Sequence, residues 1–230
     1  MSRIGWIIFG AIIVLFLGGL VIYQRSTNPP LNVSDVNTNA VIAASDQNGQ
    51  IADHVFGIND SKVVLIEYGD FQCPSCGNAH PKIKEITEAY KDRITFIFRN
   101  FPLTANHPNA RAASGAVEAA GLQGKYWEMH DLVFESQNEW SGLAGEARTN
   151  KFTDYAISIG LDKDKFLTDV ASADVNKKIS FDQALGKKVN VSGTPTFVLN
   201  GEKVSTEISN DIVQSNGDQL KAAIDKLLAE

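Results

Sequence analysis

Cys73 and Cys76, the only cysteines in 230 residues, lie at a junction: an apolar, β-branched run (Lys62–Tyr68) precedes them, and a segment of helical composition (Pro74–Lys91) begins between them. A second apolar run, Arg93–Arg99, follows. Strand, helix and strand in that order predict a parallel βαβ unit. Towards the other end, Thr196–Leu199 precedes Asn200-Gly201, a two-residue hairpin signal, with Glu202–Ile208 as the expected return strand. Leu220, Ile224, Leu227 and Leu228 then share one face of a terminal helix. Between the two halves, residues about 107–188 are rich in Ala, Glu, Lys and Leu, with breaks at Gly121–Gly124, Ser141–Gly145 and Gly160. They read as several helices. The expected fold is therefore α/β with a helical insertion, in one domain over residues 51–230.

The N-terminus has a different character. From Ile4 to Tyr23 there are 20 residues without a charge. At about 1.5 Å per residue such a helix is about 30 Å long, the thickness of a hydrocarbon core. Residues 1–25 thus read as a transmembrane anchor. The stretch after Tyr23 lacks an A-x-A cleavage site, although a cleaved signal peptide stays as the alternative. Arg3 ahead of the span favours a cytoplasmic N-terminus and an extracytoplasmic domain. Residues 26–50 hold five Asn, three Ser, two Thr and two Pro and no aromatic residue, and are expected to form a flexible linker. The net charge of −6 comes with no basic run, which argues against a nucleic-acid partner.

The chemistry sits at the strand–helix junction. Pro74 suits the first helical position, where its missing N–H would have been unpaired. A helix N-terminus presents backbone N–H groups that stabilise a thiolate, so Cys73 is the expected attacking or leaving sulfur and Cys76 the resolving thiol. A zinc site recruiting Cys73, Cys76 and His80 would need a fourth ligand from His54, His107 or His130, and no metal is expected. A static disulfide closing so short a loop would remove little unfolded-state entropy. Dithiol–disulfide cycling is the reading that fits, with no cofactor beyond the Cys73–Cys76 pair.

At this point the chain resembles a known family, the DsbA-like thiol-disulfide oxidoreductases of the thioredoxin superfamily. The resemblance rests on Glu67-Tyr-Gly-Asp-Phe-Gln-Cys-Pro-Ser-Cys76, on Asp53-His54-Val55-Phe56-Gly57 and on Gly193-Thr194-Pro195-Thr196, and spans about residues 51–228. It implies a thioredoxin fold whose helical block is the insertion, with Pro195 as a cis-proline beside the cysteines and Thr194 contacting substrate. It further implies that Glu67 is an acidic residue beneath the pair, able to relay a proton to Cys76, where the alternative is a solvent-facing strand residue. Pro74 and Ser75 would tune the redox potential, and Pro81 would shape the active-site helix. The expected function is extracytoplasmic disulfide donation to cysteine-containing exported proteins, with a membrane quinone-linked thiol oxidase as the regenerating partner. A reductase or isomerase with the same residues is the alternative, because Ser75 brings no positive charge. A non-catalytic tethered module, with the cysteines as a fixed brace, is a third. His54 and His107 read as capping or surface residues, Trp127, Met129 and Phe134 as core, and His80 has no assigned role.

Overall fold

The computed structural model describes residues 3–27 and 31–230 and divides into two units, one ending at Asn32 and one running from Val33 to Glu230. The first contains helix α1 (Arg3–Thr27). Its described side chains are those of Gly5 and Trp6 and the run from Phe9 to Leu20, mostly exposed. Among the described residues no helix is long and apolar enough to cross a membrane. The anchor expected over 1–25 includes Met1 and Ser2, and the linker expected over 26–50 includes Asn28, Pro29 and Pro30, which lie outside the described residues.

In the second unit, β1 (Val55–Gly57), β2 (Val64–Gly69), β3 (Thr95–Asn100), β4 (Thr196–Leu199) and β5 (Glu202–Lys203) form one sheet in the order β1-β3-β2-β4-β5. β2 pairs parallel with β3 across helix α2 (Pro74–Ala89), which completes the expected βαβ unit. β4 runs antiparallel to β2, with Glu67 opposite Phe197. Because strand side chains alternate, Leu65, Phe96, Phe98, Phe197 and Leu199 enter the main apolar core, while Tyr68 and Arg99 lie on the opposite face. β2 and β3 are covered on both faces, as their nearly continuous apolar sequences require.

The insertion consists of α3 (Ala110–Gly121), α4 (Tyr126–Glu135), α5 (Gln137–Trp140), α6 (Gly145–Ser158), α7 (Lys163–Val170) and α8 (Ala173–Lys188). Asn200 and Gly201 both take positive φ, 47° and 88°, as a tight hairpin between β4 and β5 demands. The return strand is shorter than expected. The Ser205 hydroxyl accepts from Ile208 N at 3.3 Å and caps α9 (Thr206–Gln214), so the chain leaves the sheet at Lys203. Helix α10 (Asp218–Ala229) ends the fold, with Leu220 and Ile224 buried.

The expected flexible linker is corrected from Val33 onwards, and with it the domain boundary at 51. Lys188 Nζ donates to the carbonyls of Val33, Ser34 and Val36 at 3.0, 2.6 and 2.8 Å. The buried Arg99 guanidinium donates to those of Thr38 and Ala40 at 2.5 and 2.9 Å. Asn48, fully buried, closes a short turn by bonding Ala43 O and Ser45 N. The segment is polar, as read, and its order comes mainly from backbone oxygens accepting from cations of the domain, with Val33 adding one buried apolar side chain.

Candidate active site

Cys73 is the N-cap of α2, in extended conformation, and Pro74 opens the helix. Pro74 is exposed and Ser75 half-buried, whereas Cys73 is 6% exposed and Cys76, one turn in, is fully buried. Both cysteines are free thiols. Gly193–Thr196 passes beside them: the Thr194–Pro195 peptide is cis, and Cys73 Sγ lies 3.3 Å from the Thr194 carbonyl oxygen. The motif residues separated by some 120 positions thus meet at one sulfur.

The two thiols are electrostatically unequal. A hydrogen bond from the Cys76 thiol, aided by the Thr194 side chain and the backbone N–H groups of Cys76 and Ser75, overcomes burial and brings Cys73 from the ordinary 9.0 to about 5. Cys76 is pushed well above the usual thiol range, chiefly by burial and then by its hydrogen bond to Cys73 and the nearby Glu67 charge. Glu67 itself is 3% exposed, which settles its orientation against the solvent-facing alternative. Burial, reinforced by the negative charge of Cys73, raises it to about 8, so at neutral pH it carries its proton.

The loop ahead of Cys73 is clamped by residues to which the sequence assigns no role at the active site. Gln137, at the start of α5, donates through Nε2 to the carbonyls of Phe71 and Cys73 at 2.7 and 3.0 Å. The buried Asp70 carboxylate accepts from Gln72 N and Leu103 N, both at 2.8 Å, and pairs with His107 Nδ1 at 2.7 Å. His107 is therefore a partner of the active-site loop and not a surface or capping residue. Apart from the turn at Gln72, no local pattern marks these contacts, because they join positions 33 to 66 residues apart.

His54 is likewise internal: its Nε2 meets Glu118 Oε2 at 3.0 Å and its ring stacks on Tyr126 at 3.8 Å. Glu118 shares Asn100 with Asp182, and Lys178 bridges Asp182 to Asp53 at 2.8 and 2.9 Å. Asp53 also pairs with Arg99 at 2.7 Å. Despite full burial, Asp53 lies well below the usual carboxylate range because Lys178 and Arg99 face it. Arg99, which anchors this layer, points to the sheet face opposite Glu67. Met129 and Phe134 are core, as expected, and Trp127 packs beside them at the edge.

A sequence model of the family described as Thioredoxin matches residues 50–226. The chain belongs to the thioredoxin family. Several solved structures share this thioredoxin-family fold. BdbD from Bacillus subtilis, in its oxidised form, is 22% identical with a TM-score of 0.65, covering 84% of this chain and 100% of that one. A thioredoxin-like oxidoreductase from Silicibacter pomeroyi is 24% identical, TM-score 0.62, over 82% and 99% of the two chains. MdbA, a thiol-disulfide oxidoreductase from Corynebacterium diphtheriae, is 19% identical, TM-score 0.59, over 79% and 96%. Among curated relatives, the thioredoxin-family chain is 40% identical over 151 residues to the Na(+)/H(+) antiporter NhaA 1 of Salinispora arenicola. That match takes in 66% of this chain but only 22% of the antiporter. A similar protein from Mycolicibacterium vanbaalenii is 38% identical over 153 residues, 65% of this chain and 23% of that one. The chain thus spans under a quarter of these relatives' length.

Proposed function

We propose that the protein is a thiol-disulfide oxidoreductase that donates disulfides to cysteine-containing exported proteins, held outside the cytoplasm by an anchor in residues 1–25. The observation that carries this reading is the inequality of the two sulfurs: Cys73 at about 5, and Cys76 far above the usual range. A leaving group of low pKa departs fastest, and a stable Cys73 thiolate favours the reduced enzyme, which makes its disulfide an oxidant. The value lies between about 7 for thioredoxin and about 3.5 for the strongly oxidising DsbA.

In the oxidising direction a substrate thiolate attacks Cys73 Sγ of the enzyme disulfide, the Cys73–Cys76 bond breaks and Cys76 leaves with the electron pair. Glu67, protonated at neutral pH, is the adjacent acid that gives Cys76 its proton. A second substrate thiolate then attacks the substrate sulfur of the mixed disulfide and expels Cys73 as its stable thiolate. Substrate is oxidised by two electrons and enzyme reduced by two. A membrane quinone-linked thiol oxidase is the expected acceptor for those electrons. The edge formed by exposed Pro74 and half-buried Gly193–Pro195 is where an extended substrate backbone would lie, with Thr194 as its contact.

Ser75 favours the reductase or isomerase alternative, because it offers no charge to the thiolate. The reduction potential of the full chain, equilibrated against glutathione buffers, separates the two directions. A value between about −120 and −180 mV supports the donor, and one near −270 mV overturns that direction in favour of a reductase. Cys76→Ser tests the exchange itself: it should accumulate mixed disulfides through Cys73 on non-reducing gels, and a fixed brace would give none.

A further inference from the structure

One turn behind Cys76 on α2, His80 faces His130 and Asp131 of α4 across a cleft that the redox chemistry does not use. One ligand atom from each of these three residues lies within 4.8 Å of the others. The two imidazoles are 6% and 3% exposed, and the Nε2 atoms of both have no hydrogen-bond partner. A buried ring nitrogen without a partner is costly, and His80 Nε2, 3.8 Å from the Asp131 carboxylate and facing His130, asks for an occupant. From these contacts the geometry points to a binding site for a zinc-class divalent cation, formed by His80, His130 and Asp131 and completed by Glu135.

The distances suit such an ion. Donors about 2.0–2.1 Å from a tetrahedral zinc stand roughly 3.3 Å apart. Asp131 Oδ1 is 3.8 Å from His80 Nε2 and 3.0 Å from His130 Nδ1, and Glu135 Oε1 is 3.9 Å from His80 Nε2. With an ion bound, His130 Nδ1, the ring nitrogen that faces Asp131 Oδ1, is the ligand atom and Nε2 keeps the proton. Two imidazoles and two carboxylates would give zinc a neutral shell. At present a cation already stands there: Lys84 Nζ bonds Asp131 Oδ2 and Glu135 Oε1, both at 2.8 Å. Its side chain is 43% exposed and can withdraw to water, and Glu135, 54% exposed, marks the way in. An ion there would tie α2, the helix that carries both cysteines, to the inserted α4. The cysteines take no part.

The test is equilibrium dialysis of zinc against the full chain in its disulfide form, which removes Cys73 and Cys76 as competing ligands. The expected result is one zinc per chain, lost in His80→Gln and in Asp131→Asn and kept in His54→Gln. Wild-type protein that binds no stoichiometric zinc overturns the proposal, as does undiminished binding in both ligand variants. Lys84→Gln covers the case in which a buried variant fails to fold, since it leaves both histidines intact. It should tighten zinc binding about tenfold or more by removing the competing ammonium, and unchanged affinity would refute the position assigned to the ion.

Discussion

The low pKa of Cys73 has a measurable consequence for stability. In the reduced protein the thiol falls from 9.0 to about 5 on folding, and it is 6% exposed, so solvent screening takes little from the effect. A depressed folded pKa contributes stability that is complete above the unfolded value and is lost as the pH falls through the folded one. At pH 7, two units above the folded value, the contribution is about 2.7 kcal/mol at about 1.36 kcal/mol per unit; at pH 5 it is about 0.4 kcal/mol. The disulfide form has no thiol to ionise, so other titrating groups largely cancel in the difference between the two forms. Urea unfolding of both forms at pH 5 and pH 7 should therefore show the reduced protein gaining about 2 kcal/mol on the oxidised one as the pH rises. Alkylation of Cys73 should follow the same titration, with a midpoint near 5. A stability difference that stays constant from pH 5 to 7, together with an alkylation midpoint near 9, would refute the assignment of the thiolate.

Glu67 gives the opposite sign. Its folded pKa of about 8 lies above the ordinary 4.5, so stability declines as the pH rises through that window, and Glu67→Gln should stabilise the reduced protein by about 3 kcal/mol at pH 7 and by little at pH 4.5, as read by urea unfolding. Gln137→Ala strips the Nε2 donor from the carbonyls of Phe71 and Cys73, and is expected to cost about 1–3 kcal/mol and to change the Cys73 alkylation rate at fixed pH; an unchanged rate would show that the clamp does not set the geometry of the sulfur. Lys178→Met removes the cation shared by Asp53 and Asp182 and leaves buried carboxylates facing one another, with an expected loss of about 3–5 kcal/mol in a urea titration.

The sequence carried the central βαβ unit clearly, because β2 and β3 are continuous apolar runs and Cys73-Pro74 marks a helix start by backbone chemistry alone. The insertion was equally plain from its glycine breaks. Where reading failed, the deciding partner was remote. Val204, Thr206 and Ile208 alternate as a strand would, yet the Ser205 hydroxyl caps a helix there. The polar stretch ahead of Ile51 has the composition of a loose tether, and nothing within it announces Arg99 or Lys188, 59 to 155 positions away. His107, which reads as a capping or surface residue, and Gln137 give no local signal for the same reason: each gains its role from a loop brought to it by the fold. Glu67 was half legible, since its distance from Cys73 suggested a role while only the packed sheet could fix the face on which it lies.

The strap from Val33 to Ala40 is held by its carbonyl oxygens, five of them, and a carbonyl is common to every residue type. Such an attachment reads the path of the chain and is indifferent to most of the letters along it. Exchanging side chains at the exposed positions of this segment should leave its docking intact, whereas exchanging either cation, on β3 or at the end of α8, should release it. The specificity of the contact thus resides largely in the receiving domain, and the exposed positions of this stretch can diverge among relatives without its ceasing to be bound.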